Sequence, residues 1–338
     1  MDALQEKNLT TSRGLHYRYY TSPASSSPYT LLLCHGFPDS ARLYQFTIPH
    51  LLATGLRIII PDLLGYGGTS KPTDPSQYTW PLMSTDLTEI LAAEDITSNV
   101  IPIGHDWGSA MAQRFYMLHK PLCAGLVTLA VALMPPTGEK FDLEATNAAT
   151  EKMLGYPLLE YWNLFLPKEG VELMDSRLES MWYVMHGAPP DTDSWMRDMF
   201  CTPNGMRDFL EQNRQDVPLK PLPDGERLMQ EWIQDKREGG FMAPTCWYRV
   251  MAEGYQNESE KWLSEAGSDR AKVTHPYLFV GCKDDVVCRA DAIEGPRKAG
   301  LVPDCTVKVV DSGHWVLYEK PDEVAGIIVE WLGEKGFC

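Results

Sequence analysis

The pattern of apolar and polar positions alternates between short aliphatic runs and longer amphipathic stretches. The runs, rich in β-branched and aliphatic residues, predict strands at 30–34, 57–60, 100–103, 125–133, 277–280 and 306–310. The stretches between them predict helices at 45–52, 82–93, 109–118 and 323–332, the last with Pro321 near its first turn. This alternation is typical of an α/β protein with a mostly parallel sheet and helices on both faces.

The alternation stops between residues 135 and 256. That segment clusters Trp, Tyr and Met between proline-rich interruptions and contains no clear aliphatic strand. We therefore expect an inserted helical cap over 135–256, with a core formed by 1–134 and 257–338. Nearer the N-terminus, the serine-rich stretch 22–27 lies close to predicted strands, which favours a hairpin turn there.

Composition narrows the class of protein. The chain has 338 residues, of which 44% are hydrophobic and 22% charged, which is ordinary for a globular protein. A net charge of -16 disfavours nucleic acids and anionic membranes as partners. No apolar run is long enough to cross a bilayer and residues 1–7 lack an apolar signal core, so we expect a cytoplasmic location. The 8 cysteines include no C-x-x-C pair, so we expect most to be reduced and buried.

The most informative motif is Gly104-His105-Asp106-Trp107-Gly108. It lies between a predicted strand and a predicted helix, where small residues allow the sharp turn of a nucleophile elbow. The tip of such an elbow usually carries serine, but here it carries aspartate. A serine that displaced a group from an sp3 carbon would be left as a stable ether, whereas an aspartate forms an ester that water can cleave. The motif therefore predicts Asp106 as a nucleophile for an sp3 carbon.

A second motif, His35-Gly36-Phe37-Pro38, follows the predicted strand 30–34. In proteins with such an elbow, this loop and the residue after the nucleophile each supply a backbone N–H to an oxyanion hole. The motif predicts Phe37 and Trp107 as the two donors. We expect His35 to order this loop, and His105 to pack or hydrogen-bond behind the elbow.

The third motif contains a histidine, in Asp311-Ser312-Gly313-His314-Trp315 after the last predicted strand. A loop at the carboxyl end of a strand is where a general base would lie, so we predict that His314 has this role. Its orienting acid follows the strand at 277–280, where two carboxylates are adjacent. When residues are counted from Pro276, the expected position of the acid falls on Asp285, and when they are counted from Gly281 it falls on Asp284. We favour Asp285.

These motifs, together with Asp62-Leu63-Leu64-Gly65-Tyr66-Gly67, resemble those of the epoxide hydrolases of the α/β-hydrolase fold, of the soluble, aspartate-nucleophile type. The resemblance extends over nearly the whole chain. It implies that an apolar epoxide is opened to a vicinal diol through an alkyl ester of Asp106, with no metal or organic cofactor. It also implies that a homodimer can form through the caps.

In that family two cap tyrosines donate hydrogen bonds to the epoxide oxygen. The matching segments of this sequence place one at Tyr248, inside a Trp-Tyr-Arg sequence, and the other at Tyr161, with Tyr156 as the alternative. A phenol suits this role because it can both bind an alkoxide and give it a proton. With Phe37 and Trp107, these tyrosines are the expected substrate-binding residues.

Other functions share the same core motifs. Haloalkane and haloacid dehalogenases use the same nucleophile, but the haloalkane type usually has asparagine where Phe37 stands, and a fluoroacetate-type enzyme would have a basic residue at Trp107. Dehalogenation is therefore the second hypothesis. A ligand receptor that retains the fold without turnover is a third, and the intact set of Asp106, His314 and an acid argues against it. Whether water or an internal hydroxyl of the substrate completes the reaction stays open.

Overall fold

One eight-stranded sheet forms the centre of the molecule. The computed structural model describes residue 1, residues 3–265 and residues 269–338. In chain order the strands are β1 (Gln5–Thr10), β2 (His16–Thr21), β3 (Thr30–Cys34), β4 (Arg57–Pro61), β5 (Val100–His105), β6 (Leu126–Leu129), β7 (Tyr277–Cys282) and β8 (Cys305–Val310). Across the sheet they lie in the order β1-β2-β4-β3-β5-β6-β7-β8. β2 is antiparallel to both of its neighbours and every pair from β4 to β8 is parallel, which confirms the predicted mostly parallel sheet.

The predicted hairpin at 22–27 is wrong. This stretch does connect two strands, β2 and β3, but they are not neighbours. β4 lies between them, pairing Ile60 with Tyr20 of β2 on one side and Ile58 with Leu31 of β3 on the other. β2 and β3 are therefore separated in the sheet by β4, which comes later in the chain. Closeness along the sequence could not distinguish this crossing from a tight turn.

Fourteen α-helices lie among the described residues. Three precede the long insertion: α1 (Ile48–Ala53), α2 (Trp80–Ala93) and α3 (Trp107–Leu118). Between β6 and β7 lie α4 (Leu143–Leu154), α5 (Trp162–Phe165), α6 (Lys168–Asp175), α7 (Leu178–His186), α8 (Gly205–Glu211), α9 (Gly225–Gly239), α10 (Cys246–Ala252) and α11 (Asn257–Leu263). The last three are α12 (Glu294–Lys298), α13 (Val316–Glu319) and α14 (Pro321–Glu334). None of the described helices combines the length and the apolarity that crossing a bilayer requires.

Several element ends have identifiable physical causes. Asp142 accepts a hydrogen bond from the Ala145 N–H and so caps α4, which ends at Gly155 in the left-handed conformation. The predicted strand 125–133 is much shorter in the structure. β6 ends at Leu129 because Ala130 has a φ of +65°, which no extended strand accommodates.

The core lies around the middle of the sheet. Every residue of β3, β5 and β7 is buried, as expected for parallel strands covered on both faces. α3 packs against β3, β5 and β6, and α14 packs against β7 and β8. The helix that starts at the elbow is thus supported along its length by the buried strands.

The segment between β6 and β7 contains the eight helices α4–α11, and no strand of the sheet lies among them. It contacts the rest of the chain through buried polar bonds. The indole N–H of Trp247 on α10 donates to the carbonyl of Leu64 at 2.9 Å, and the Trp80 N–H donates to the side-chain oxygen of Gln256 at 3.0 Å. The domain boundaries at 135 and 256 stay a prediction.

Candidate active site

The side chain of Asp106 projects from the turn between β5 and α3. This residue has φ 53° and ψ -125°, a region that non-glycine residues rarely adopt and that is held only by surrounding structure. Glycine is required next to it: a Cβ on Gly108 would overlap the carbonyl of Cys34, and one on Gly104 would overlap the carbonyl of Gly108. The close approach of these backbones places the Asp106 carboxylate at the carboxyl end of the sheet.

One oxygen of this carboxylate is held by the backbone. The Phe37 N–H donates to Asp106 Oδ1 at 2.7 Å. Burial would raise the pKa of the carboxyl, but hydrogen bonding and charge from His314, with help from the Trp107 N–H, lower it below its usual range. Asp106 is therefore ionised at neutral pH. Its second oxygen, Oδ2, lies 3.5 Å from His314 Nε2.

His314 connects two carboxylates. Its Nδ1 lies 2.6 Å from Asp285 Oδ2, while Asp285 Oδ1 accepts from the N–H groups of Val287 at 3.0 Å and Cys288 at 2.7 Å. Asp284, the alternative acid, is exposed on the turn and is not bonded to the imidazole. Burial would lower the pKa of His314, but Asp285 and Asp106 outweigh it and raise that pKa well above 6.5. With Asp106 ionised, His314 is thus a positively charged imidazolium with a proton on each ring nitrogen.

The two other histidines of the motifs lie where the sequence led us to expect them. His35 Nε2 accepts from the Leu63 N–H at 2.9 Å, so its Nδ1 carries the hydrogen and donates to the Gly36 carbonyl at 3.0 Å. His105 Nε2 donates to the His314 carbonyl at 2.7 Å. Burial lowers the pKa of each to about 4, so both are neutral at neutral pH. They fix the two loops that face Asp106.

A cavity of about 380 Å³, counted to its opening to solvent, lies beside these groups. Its lining combines the polar groups described above with side chains that are mostly apolar: Phe37, Asp106, Tyr161, Met181, Met185, Met196, Phe200, Tyr248, Val287, Cys288, His314 and Trp315. Trp107 is absent from this lining and packs edge-on against Tyr248 at 5.1 Å between ring centroids. The walls are therefore suited to an apolar ligand whose reacting atom meets a carboxylate.

Two of the predicted tyrosines line this cavity. Tyr248, on α10, and Tyr161, just before α5, have ring centroids 6.0 Å apart and nearly perpendicular planes. Burial raises the pKa of both phenols well above 10, so both are neutral O–H donors. Tyr156 does not line the cavity, and its hydroxyl donates to the Val286 carbonyl at 3.0 Å. Of the two candidates in that segment, Tyr161 is the one at the site.

Sequence reasoning missed several residues of the cavity. Cys288 lies three residues after Asp285 on the same loop, and burial raises the pKa of its thiol to about 12. Met181, Met185 and Met196 form much of the apolar wall. The spacing of Met181 and Met185 by four residues on α7 was a weak signal for a shared face, but nothing in the sequence indicates which face meets Asp106.

The arrangement combines three chemical capabilities. An ionised carboxylate faces an apolar cavity, and the Phe37 N–H donates to one of its oxygens. A histidine bonded to a second carboxylate lies next to the other oxygen, where it can exchange a proton with water. Two phenols on the cavity wall can donate hydrogen bonds to an oxygen atom of a bound ligand.

Comparisons with known proteins agree with the fold. A family model described as "Alpha/beta hydrolase family" matches residues 31–327. The epoxide hydrolase srdG of Neurospora crassa is 26% identical over 345 residues, which cover 96% of this chain and 93% of that protein. The bifunctional epoxide hydrolase 2 of Rattus norvegicus is 26% identical over 309 residues, and the match covers 89% of this chain but only 51% of that protein. The crystal structure of Epoxide Hydrolase A from Mycobacterium thermoresistibile shares the fold, with a TM-score of 0.76 and 23% identity over 98% of each chain.

Proposed function

Because the chain belongs to the alpha/beta hydrolase family, we propose that it is an epoxide hydrolase, which opens an apolar epoxide to a vicinal diol through an ester of Asp106. The observation that carries this proposal is the ionised Asp106 carboxylate in a cavity whose wall includes Tyr161 and Tyr248. Curated relatives named as epoxide hydrolases support the same conclusion.

The first step is displacement at an epoxide carbon. Asp106 Oδ2 attacks from the side opposite the C–O bond that breaks, while Oδ1 stays hydrogen-bonded to the Phe37 N–H. An alkyl ester forms and the epoxide oxygen leaves as an alkoxide on the same molecule. Tyr161 or Tyr248 gives this alkoxide a proton. Because burial raises the pKa of both phenols, both are still protonated when the alkoxide forms.

The second step is hydrolysis of the ester. Esterification removes the negative charge of Asp106, one of the two carboxylates that hold the proton on His314. The imidazolium can then return a proton to the tyrosinate and become a base. His314, oriented by Asp285, takes a proton from water, and the hydroxide attacks the ester carbonyl. The N–H groups of Phe37 and Trp107 stabilise the oxyanion, and collapse of this intermediate releases the diol and regenerates ionised Asp106 and protonated His314.

The substrate class follows from the cavity wall. Apart from the groups with assigned roles, the lining consists of methionine, valine, aromatic and thiol side chains. Charged substituents would lose hydration there without gaining a partner. We therefore propose an epoxide with apolar substituents. The cytoplasmic location and the homodimer expected from the sequence stay predictions.

A single-turnover reaction in heavy-oxygen water tests the ester. Excess enzyme with an apolar epoxide such as styrene oxide should give diol whose new oxygen is light, because that oxygen comes from Asp106. The heavy oxygen should appear in the peptide that contains Asp106. Heavy oxygen in the diol at the first turnover would contradict the proposal.

Trapping provides a second measurement. A His314→Gln variant should accumulate a covalent adduct with the mass of the epoxide, since the base for hydrolysis is gone while the nucleophile remains. The matched control is the double variant Asp106→Ala/His314→Gln, which should form none. Halide release from a 1-haloalkane, with no diol from epoxides, would instead favour dehalogenation.

A further inference from the structure

The loop after β7 brings a thiol to the imidazole and carboxylate beside Asp106. Asp285, Cys288 and His314 each offer one ligand atom, and these three atoms lie within 4.8 Å of one another. They are a carboxylate oxygen, a sulfur and an imidazole nitrogen. In the proposed reaction the carboxylate and the imidazole have roles, but the thiol has none.

We propose that Asp285, Cys288 and His314 form an inhibitory site for Zn²⁺ at the active centre. Carboxylate, thiolate and imidazole are the three ligand types that Zn²⁺ takes in proteins, and three protein ligands leave a fourth position for water. The sulfur discriminates against Mg²⁺ and Ca²⁺, which prefer oxygen ligands. Inhibition by this ion rests on the proposed function, whereas binding of the ion does not.

The geometry requires only a small adjustment. In a tetrahedral site with bonds of about 2.0–2.3 Å, ligand atoms lie about 3.5 Å apart. One ligand atom from each residue already lies within 4.8 Å of the other two, and Asp285 Oδ2 lies 2.6 Å from His314 Nδ1. Moving that carboxylate oxygen outward by about 1 Å would admit the ion. The other oxygen of Asp285 is bonded to two N–H groups of the same loop, so the carboxylate has an anchor about which it can turn.

The position of the site explains the expected inhibition. Cys288 and His314 both line the cavity, so a cation can reach them by the route that a substrate uses. An ion at this site displaces the proton that Asp285 and Nδ1 share, and Cys288 releases its thiol proton to solvent as its sulfur binds the ion. The imidazole lone pair and the carboxylate are then committed to the metal, and His314 loses the partner that orients it as a base. The rate of ester hydrolysis should fall as the site fills.

The test compares binding with activity in one set of proteins. Wild-type enzyme is titrated with Zn²⁺ in a chelator-buffered solution, and Co²⁺ is used in parallel because a cobalt-thiolate bond gives a charge-transfer absorption. We expect one ion per chain, a thiolate-to-cobalt band, and loss of activity that follows occupancy and is reversed by EDTA. Mg²⁺ at the same concentrations should have no effect.

Variants locate the site. Cys288→Ser should weaken Zn²⁺ binding at least about tenfold, because mutating a residue that only hydrogen-bonds to a metal ligand already costs that much, and Cys288 would be a ligand itself. The same variant should lose the cobalt band. Cys288→Ala should behave alike, with circular dichroism used to verify folding. Cys338→Ser is the matched control, because this cysteine is exposed and far along the chain, and it should leave affinity unchanged.

Two results would overturn the proposal. Unchanged Zn²⁺ affinity in both Cys288 variants would show that the ion binds elsewhere. Binding through Cys288 with full activity on epoxides would show that the site is not inhibitory. If wild-type enzyme turns over no epoxide at all, the proposed function fails on that ground, while the titration and the cobalt band still decide whether the metal site exists.

Discussion

Asp39 provides a direct test of how burial governs charge next to the active site. Its side chain is buried, and Oδ1 accepts a hydrogen bond from the Tyr318 hydroxyl at 3.0 Å. Burial raises the pKa of this carboxyl from 3.8 to about 6, against smaller opposing effects of hydrogen bonds from Tyr318 and Trp315 and of the charge on Lys236. This rise in the pKa means that folding disfavours the ionised form of Asp39 by about 3 kcal/mol.

The sign of the pH dependence follows from proton linkage. Because the folded pKa lies above the unfolded one, the folded state binds more protons between pH 3.8 and about 6. This group therefore makes the protein less stable as pH rises through that window, and the full cost is present above it. Asp39→Asn removes the titration. The free energy of unfolding of the variant minus that of wild type should therefore rise by about 2 kcal/mol between pH 4.5 and pH 8.

Urea unfolding of both proteins at pH 4.5, 6 and 8 measures this difference. All other titrating groups are shared, so their contributions largely cancel. Asp284→Asn is the matched control: it lies on an exposed turn, and its free energy of unfolding should stay within about 0.5 kcal/mol of wild type at each pH. If the difference for Asp39→Asn were constant across the three pH values, or moved the other way, the reasoning from burial would be refuted.

Three further changes test other parts of the structure. Glu260→Gln should lower the free energy of unfolding by about 3 kcal/mol, because Glu260 and Arg114 form a buried pair at 2.7 Å and the variant leaves the guanidinium uncompensated; a loss below 1 kcal/mol in urea would contradict this. Tyr161→Phe should slow single-turnover ring opening about 10²-fold while Tyr156→Phe stays near the wild-type rate, and equal effects would reject the assignment of Tyr161. Gly108→Ala should destabilise the protein by about 1–3 kcal/mol or more through overlap with the neighbouring strand, and an unchanged melting temperature would count against the close approach described there.

Much of the sheet could be predicted because its buried strands are continuous aliphatic runs. The six predicted strands all overlap observed ones, and the elbow at Asp106 lies between β5 and α3 as its glycines indicated. β1 gave no such signal. It is an edge strand whose residues are exposed or half-buried, so its sequence, Gln-Glu-Lys-Asn-Leu-Thr, lacks an apolar run.

The residues of the candidate site also fall into two groups, those that belong to a local motif and those whose place depends on the packing of distant segments. Asp106, His314 and the loop of Phe37 belong to local motifs with their own backbone requirements, so the sequence alone could select them as candidates. The choice between Asp284 and Asp285 depends on which carboxylate faces a loop from another part of the chain. Likewise, nothing local shows that Tyr161 lines the cavity or that Cys288 lies beside the imidazole, since both follow from the packing of distant segments.

The guanidinium of Arg114 has a consequence for how such proteins can be recombined. From its place on α3 it bonds the Met134 carbonyl at 2.8 Å and both oxygens of Glu260, at 2.7 and 2.9 Å. The segment just after β6 and helix α11, the last helix before β7, are therefore both bonded to one side chain. A foreign helical module spliced between Met134 and Glu260, with both attachments retained, would begin and end at fixed positions, so exchange between homologues can change the cavity lining while Asp106 keeps its setting.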